Sequence, residues 1–149
     1  MRVMNVLTAV LIFLLMSFTV WEPDFEVARK TARDKNQLIL LNFSGSDWCG
    51  PCIRLRKEIF DSEQFIKMAD TTLVMVNADF PRNKKNQPER QVQQQNEALA
   101  DKYDPAGKFP YTVLLNADGK IIASWDGYPK TDAMHFTEEV KKLCDANTH

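Results

Sequence analysis

Ser44-Gly45-Ser46-Asp47-Trp48-Cys49-Gly50-Pro51-Cys52 carries two of the three cysteines of this 149-residue chain, two residues apart. Leu38-Ile39-Leu40-Leu41-Asn42-Phe43 leads into it as an apolar run that reads as a buried strand. Ile53-Arg54-Leu55-Arg56-Lys57-Glu58-Ile59-Phe60 leads out as the start of an amphipathic helix. On a first helical turn this spacing brings two sulfurs close enough to bridge or to share one proton. Unpaired N–H groups and the dipole at a helix N-terminus favour a negative charge, here the Cys49 thiolate. Pro51 suits that turn because its missing N–H has no intrahelical partner there. Gly50 leaves no side chain between the sulfurs and an approaching partner. Cys49, N-terminal and expected to be exposed, is the candidate attacking thiolate; Cys52, one turn deeper, is the candidate resolving thiol. Such thiol–disulfide exchange needs no cofactor.

Other uses of a cysteine pair fit less well. A structural zinc site needs a second ligand pair, and Cys144, His135 and His149 stand in no paired spacing. A c-type haem site needs His directly after the second cysteine, where Ile53 stands. A static disulfide is the plainer reading, but the strand-to-helix setting favours redox activity over it.

The length corresponds to one domain plus an addition. With 19 basic against 20 acidic residues, the balance implies no polyanionic partner such as nucleic acid. The addition is N-terminal: Arg2 precedes a stretch without charge from Val3 to Val20. Its 18 residues would span about 27 Å as a helix, close to the roughly 30 Å of a bilayer's hydrocarbon core. Residues 1–20 therefore read as a secretory signal or a membrane anchor, with Ser17 and Thr19 as weak cleavage-site residues and a cleaved signal slightly favoured. Either assignment exports residues 21–149 to a compartment where disulfide chemistry is productive.

Along that domain, Asp24 caps a predicted helix to about Asn36 with Phe25, Ala28 and Ala32 inward, and Trp21 ahead of it is a packing residue. Leu38–Ser44 is a strand. Asp61 or Ser62 caps a short helix with Phe65, Ile66 and Ala69 inward. Thr72–Asp79 is a second strand, apolar enough to be covered on both faces. From Phe80 to Gln95 the chain is polar; its cluster Arg82, Lys84 and Lys85 reads as a solvated loop rather than a docking patch. A helix resumes near Pro88 through Val92, Asn96, Leu99 and Tyr103. Strands at Tyr111–Asn116 and Lys120–Trp125 flank the turn Ala117-Asp118-Gly119. A last helix from about Thr131 carries Phe136, Val140 and Leu143, with Cys144 as a buried thiol on the same stripe. Neither histidine is placed for catalysis, and Asp47 serves as a capping or solvated loop acid.

Trp48-Cys49-Gly50-Pro51-Cys52 after an apolar strand, with Phe109-Pro110-Tyr111-Thr112 opening the hairpin, resembles the thioredoxin superfamily over roughly Asp24 to Leu143. Phe43-Ser44-Gly45-Ser46-Asp47-Trp48-Cys49 and Asp79-Phe80-Pro81-Arg82 resemble its exported bacterial members. The resemblance implies an α/β thioredoxin fold, a central mixed β-sheet flanked by helices. It implies Cys49 as nucleophile and Cys52 as resolving thiol, supported by Trp48, Gly50, Pro51 and a cis Pro110. Phe109, Pro110 and Trp48 would meet an extended protein substrate, and no metal is assigned. Protein disulfides are the implied substrates and a redox partner the implied electron source. The Gly-Pro dipeptide resembles that of reducing members.

One departure stands out. The buried acid that many thioredoxins place before the active site falls on Asn42, or on Phe43 without a one-residue gap, and its lysine partner falls on Met75. None of these ionises, so Cys52 must lose its proton to water or by another route. A second function class stays open: a binding module that holds a protein partner or metal ion without redox turnover.

Overall fold

The structure is a computed structural model that describes residues 20–148. The signal or anchor assigned to residues 1–20 lies outside the described residues except for Val20, and so does His149. The elements are α1 (Phe25–Lys35), β1 (Leu38–Ser44), α2 (Gly50–Leu55) with a π-helical turn (Arg56–Phe60), and α3 (Glu63–Thr72). There follow β2 (Leu73–Asp79), a 3-10 turn (Lys84–Asn86), α4 (Arg90–Tyr103), β3 (Tyr111–Leu115), β4 (Ile121–Asp126) and α5 (Ala133–Asn147). The strand order is β2-β1-β3-β4, with β1 and β2 parallel and the other pairs antiparallel. This is the mixed sheet expected of a thioredoxin fold.

Local chemistry sets most boundaries. Asp24 caps α1 by accepting the N–H groups of Glu26 and Val27, and Asn36 ends the helix in the left-handed conformation that short polar residues tolerate. Ser62, rather than Asp61, caps α3. Phe65, Met68 and Ala69 face the core there, while Ile66 lies half-buried. Asp132 caps α5, whose buried stripe runs Phe136, Val140, Cys144 and leaves Leu143 half-buried. Gly119, at positive φ, closes the hairpin, and Asn116 Oδ1 accepts the N–H groups of Asp118 and Lys120. The π turn after α2 interrupts the regular helix expected through Phe60. It still buries Ile59 and Phe60, and Asp61 N–H closes it on Arg56 O at 2.8 Å. Trp21 packs as expected, its ring 5.5 Å from that of Phe60, and it also bridges to Met75 at the open edge of β2.

Strand alternation divides the interior into two cores. Ile39, Leu41 and Phe43 of β1 join Val74 and Val76 of β2 against α1 and α4. Leu38 and Leu40 join Leu73, Met75 and Leu114 on the opposite face, against α3, α5 and the π turn. At the C-terminal end of β1 the second face becomes polar. The next residues in its alternation are Asn42 and Ser44 on β1, Asn77 and Asp79 on β2, and Thr112 on β3, with Asn42 paired in register to both Asn77 and Thr112. That polar end lies under the first turn of α2.

Candidate active site

Cys49 occupies the N-cap of α2 in extended backbone, and Pro51 stands within the first turn. Its Sγ is bonded to Cys52 Sγ across a Cα–Cα distance of 5.2 Å, and it accepts the Cys52 N–H at 3.3 Å. Cys49 is 5% exposed and Cys52 3%. The expected exposure of Cys49 is therefore corrected for the disulfide form: its side chain turns inward to cap the helix and bond Cys52 instead of projecting into solvent. Gly50 is exposed, and a Cβ built there would meet nothing within 4 Å, so packing does not demand glycine; the space above the pair is open.

Trp48 sits half-buried beside the pair. Its Nε1–H donates to Phe80 O at 2.8 Å, and its ring lies edge-on to Phe109 at 5.4 Å; Phe109 in turn meets Phe80 at 5.6 Å. These three aromatics form one surface whose polar edge is satisfied, as a part-buried indole requires. Gly45 makes this possible, because any Cβ there would overlap the indole. The Phe109–Pro110 peptide is cis, and Phe43 pairs in register with Tyr111. The loop before β3 is thereby brought to the end of β1, next to the cysteine loop. Asp104, buried near the end of α4, holds that loop by accepting the Lys108 N–H, and burial raises its pKa.

Beneath Cys52 a cleft of about 230 Å³ is lined by Asn42, Ser44, Asn77, Arg56 and Lys57 among others. Asn42, not Phe43, thus occupies the place under the second cysteine, while Phe43 is buried in the opposite core. Its neighbour on β2 is Asn77 rather than Met75, which packs deeper in the apolar part of the same face. Asn42 donates from Nδ2 to Asn77 Oδ1 at 3.0 Å and accepts from Thr112 Oγ1 at 3.1 Å. Ser44 Oγ lies 3.0 Å from Asn77 Oδ1 and 3.3 Å from Asp79 Oδ1, two acceptors for a single hydroxyl proton. The carboxylate at the end of this network is Asp79, which also accepts the Ser46 N–H and hydroxyl. The charged pair expected of many relatives is replaced here by a hydrogen-bonded amide pair. Sequence patterning alone does not single out Ser44, Asn77 or Asp79; the signal that carries them is polar residues at i and i+2 on two strands.

Asp47 has a more definite role than a solvated loop acid. Its carboxylate accepts the N–H groups of Arg82 and Asn83, both at 2.9 Å, and Asn86 Nδ2 at 3.0 Å. These three donors hold its pKa below the usual carboxylate value, led by the Arg82 and Asn83 N–H groups. Cys144 is buried as expected, and desolvation pushes its thiol up to about 11. His135 binds Asp132 on the exposed first turn of α5, as a capping interaction. Among the described residues, no group of three or more His, Cys, Asp and Glu side chains is placed to hold a metal ion.

A thioredoxin-like domain model matches residues 25–143. The disulfide bond reductase DsbH of Chlamydia pneumoniae is 39% identical over 118 residues, which are 79% of this chain and 69% of that protein. The thioredoxin-related protein DsbJ of Chlamydia pneumoniae is 34% identical over 104 residues, 69% of this chain but 29% of DsbJ. Among solved structures, a DsbH oxidoreductase matches with a TM-score of 0.75 at 32% identity, covering 85% of this chain and 84% of that one. A thioredoxin from Thermus thermophilus matches with a TM-score of 0.63 at 13% identity over 85% of this chain and 88% of its own, a likeness of fold.

Proposed function

Since the chain belongs to the thioredoxin-like domain family and is a thiol–disulfide oxidoreductase, we propose that it acts outside the cytoplasm as a reductase of protein disulfides. Cys49 is the nucleophile and Cys52 the resolving thiol. The observation that carries these roles is the Cys49–Cys52 disulfide at the start of α2, with the Cys52 N–H on Cys49 Sγ. In the dithiol form the same N–H is available to a Cys49 thiolate, and a hydrogen bond to the charged form lowers a thiol's pKa. The thiolate attacks one sulfur of a substrate disulfide, forming a mixed disulfide and releasing a substrate thiolate that takes a proton. Cys52, once deprotonated, attacks Cys49 Sγ, closes the internal disulfide and expels the second substrate thiolate. Two electrons pass to the substrate, and a redox partner must return them.

Trp48 and Phe109 supply the apolar surface on which the substrate chain rests, and Pro110 shapes its edge. Gly50 and Pro51 keep the approach open and the first turn formed. The reducing direction is supported by the likeness to a disulfide bond reductase and by the Gly-Pro dipeptide. Export is supported by the uncharged stretch Val3–Val20, which we assign to a signal or anchor preceding the domain at 21–149.

Insulin reduction by the pre-reduced protein tests the activity. Cys49→Ser is expected to abolish turnover, and Cys52→Ser to accumulate a mixed disulfide visible on a non-reducing gel. A redox titration tests direction. A potential near the about −270 mV of thioredoxin supports a reductase, and one near the about −120 mV of strongly oxidising relatives overturns that assignment.

A further inference from the structure

The cluster Arg82, Lys84 and Lys85 reads from sequence as a solvated loop, but the fold fixes it beside the cysteine pair. Asp47, two residues before Cys49, binds both ends of the 3-10 turn that carries the two lysines: Asn83 through its N–H and Asn86 through its amide. The Arg82 guanidinium lies 4.0 Å above the Trp48 ring, next to Cys49 in sequence. On the other side of the disulfide, Arg56 and Lys57 line the cleft that contains Cys52.

Of the acids in this region, Glu58, Asp61 and Asp126 are ion-paired, while Asp47 and Asp79 keep their charge and are held by neutral donors. Asp47 is bound by three donors and Asp79 by Ser44 and Ser46. Glu58 is held by Arg54 and Tyr128, Asp61 by Arg56, and Asp126 by Lys108. Among the described residues, no ion pair is formed by Lys57, Arg82, Lys84 or Lys85, and all four are exposed. The chain as a whole carries a net charge of −1, and although Glu89 partly offsets the cluster, these four cations lie on the loop and the cleft that border the cysteine pair.

We propose that this basic rim selects disulfides flanked by acidic polypeptide. A substrate strand crossing the Trp48–Phe109 surface would place residues on one side of its cysteine near Arg82, Lys84 and Lys85, and those on the other side near Lys57. The lysine heads are exposed and flexible, so their effect is chiefly on encounter and orientation rather than on a fixed ion pair. It follows that the preference weakens with salt, as screening shortens to about 3 Å at 1 M. The proposal rests on the oxidoreductase reading and adds a substrate class to it.

The test uses two synthetic peptides with the same intramolecular disulfide loop, one flanked by glutamates and one by lysines. Each is mixed with the pre-reduced protein, and single-turnover oxidation is followed by thiol alkylation. At low ionic strength the acidic peptide is expected to react about tenfold faster or more, with the two rates converging in high salt. The double variant K84E/K85E is expected to narrow or invert the ratio; Arg82 is left unchanged because it stacks on Trp48. Equal rates at low salt, or a ratio indifferent to both salt and charge reversal, would overturn the proposal. Reduction of neutral 2-hydroxyethyl disulfide by the wild-type protein separates the two levels. If that fails, the reductase reading fails and the charge selection falls with it; if it succeeds while the peptides react equally, only the charge selection is refuted.

Discussion

Returning an acid to the position under Cys52, through Asn42→Asp, should produce a pH-dependent loss of stability. Asn42 is 4% exposed, and both ends of its amide are used: Nδ2 donates to Asn77 Oδ1, and Oδ1 accepts from Thr112. An aspartic acid keeps the Thr112 bond in either protonation state. Protonated, its hydroxyl can replace the Nδ2 donor toward Asn77. Ionised, it sets a carboxylate oxygen against the Asn77 carbonyl oxygen, so one hydrogen bond is lost where water has little access. Leaving a buried polar group unsatisfied costs about 1–3 kcal/mol, and more for a charged one. The Asn77 amide can turn to offer its own Nδ2, but only by giving up the 3.0 Å bond from Ser44.

The sign follows from proton linkage. The folded carboxyl has a raised pKa, so between the unfolded value of about 3.9 and the folded value the native state holds the extra proton. Stability relative to wild type is therefore near parity below that window and falls as pH rises through it. Urea unfolding of the oxidised proteins at about pH 3.5 and pH 7.5 reads this directly. With a slope of about 1–3 kcal/mol per molar urea, the expected cost shifts the neutral-pH midpoint by about 1 M and leaves the acidic midpoint little changed. An equal shift at both pH values would mean that packing, not ionisation, sets the cost. No shift at either would mean that the Asn77 amide reorganises freely. Either result refutes the argument that the amide pair is matched donor to acceptor.

Gly45→Ala introduces a Cβ into the Trp48 indole and should cost about 1–3 kcal/mol through overpacking. The displaced ring loses its bond to Phe80 O and its stacking with Arg82, so a changed tryptophan emission together with slower peptide reduction is expected; unaltered emission would contradict the overlap. Cys144 should resist Ellman's reagent at pH 8 in the folded protein and react on denaturation, because burial holds its thiol near 11 against an ordinary 9.0. Its folded pKa is raised, so its contribution to stability is full below about 9 and is lost as pH rises toward about 11. Fast labelling of the native protein would show that the helix-5 stripe opens.

Much of the frame was legible in one dimension because it depends on local rules. The apolar run Leu38–Phe43 before Cys49-Gly50-Pro51-Cys52 specifies a buried strand feeding a helix. Asp24 and Gly119 mark a cap and a turn through their own backbone chemistry. The redox class followed from the cysteine spacing in that context, and the burial of Cys144 from its place on a helical stripe. The stripe of the last helix runs through Phe136, Val140 and Cys144 as its spacing implies, with Leu143 half-buried at its margin against the same core.

What the tertiary structure decided are relations between residues far apart in the chain. Register between β1 and β2 matched Asn42 with Asn77 and not with Met75, and the extra loop residue was assigned only once the cleft showed Asn42 below Cys52. In the disulfide form Cys49 is buried, which its N-terminal place in the motif does not foretell. The loop carrying Arg82, Lys84 and Lys85 was anchored by a carboxylate more than thirty residues earlier. Local propensity acts over a few residues and is written in the sequence; the neighbours of a side chain across a sheet or between loops are set by chain closure and packing. The chemistry of the cysteine pair was therefore readable from the chain alone. The amides beneath it and the cations around it appeared only once the chain had folded back on itself.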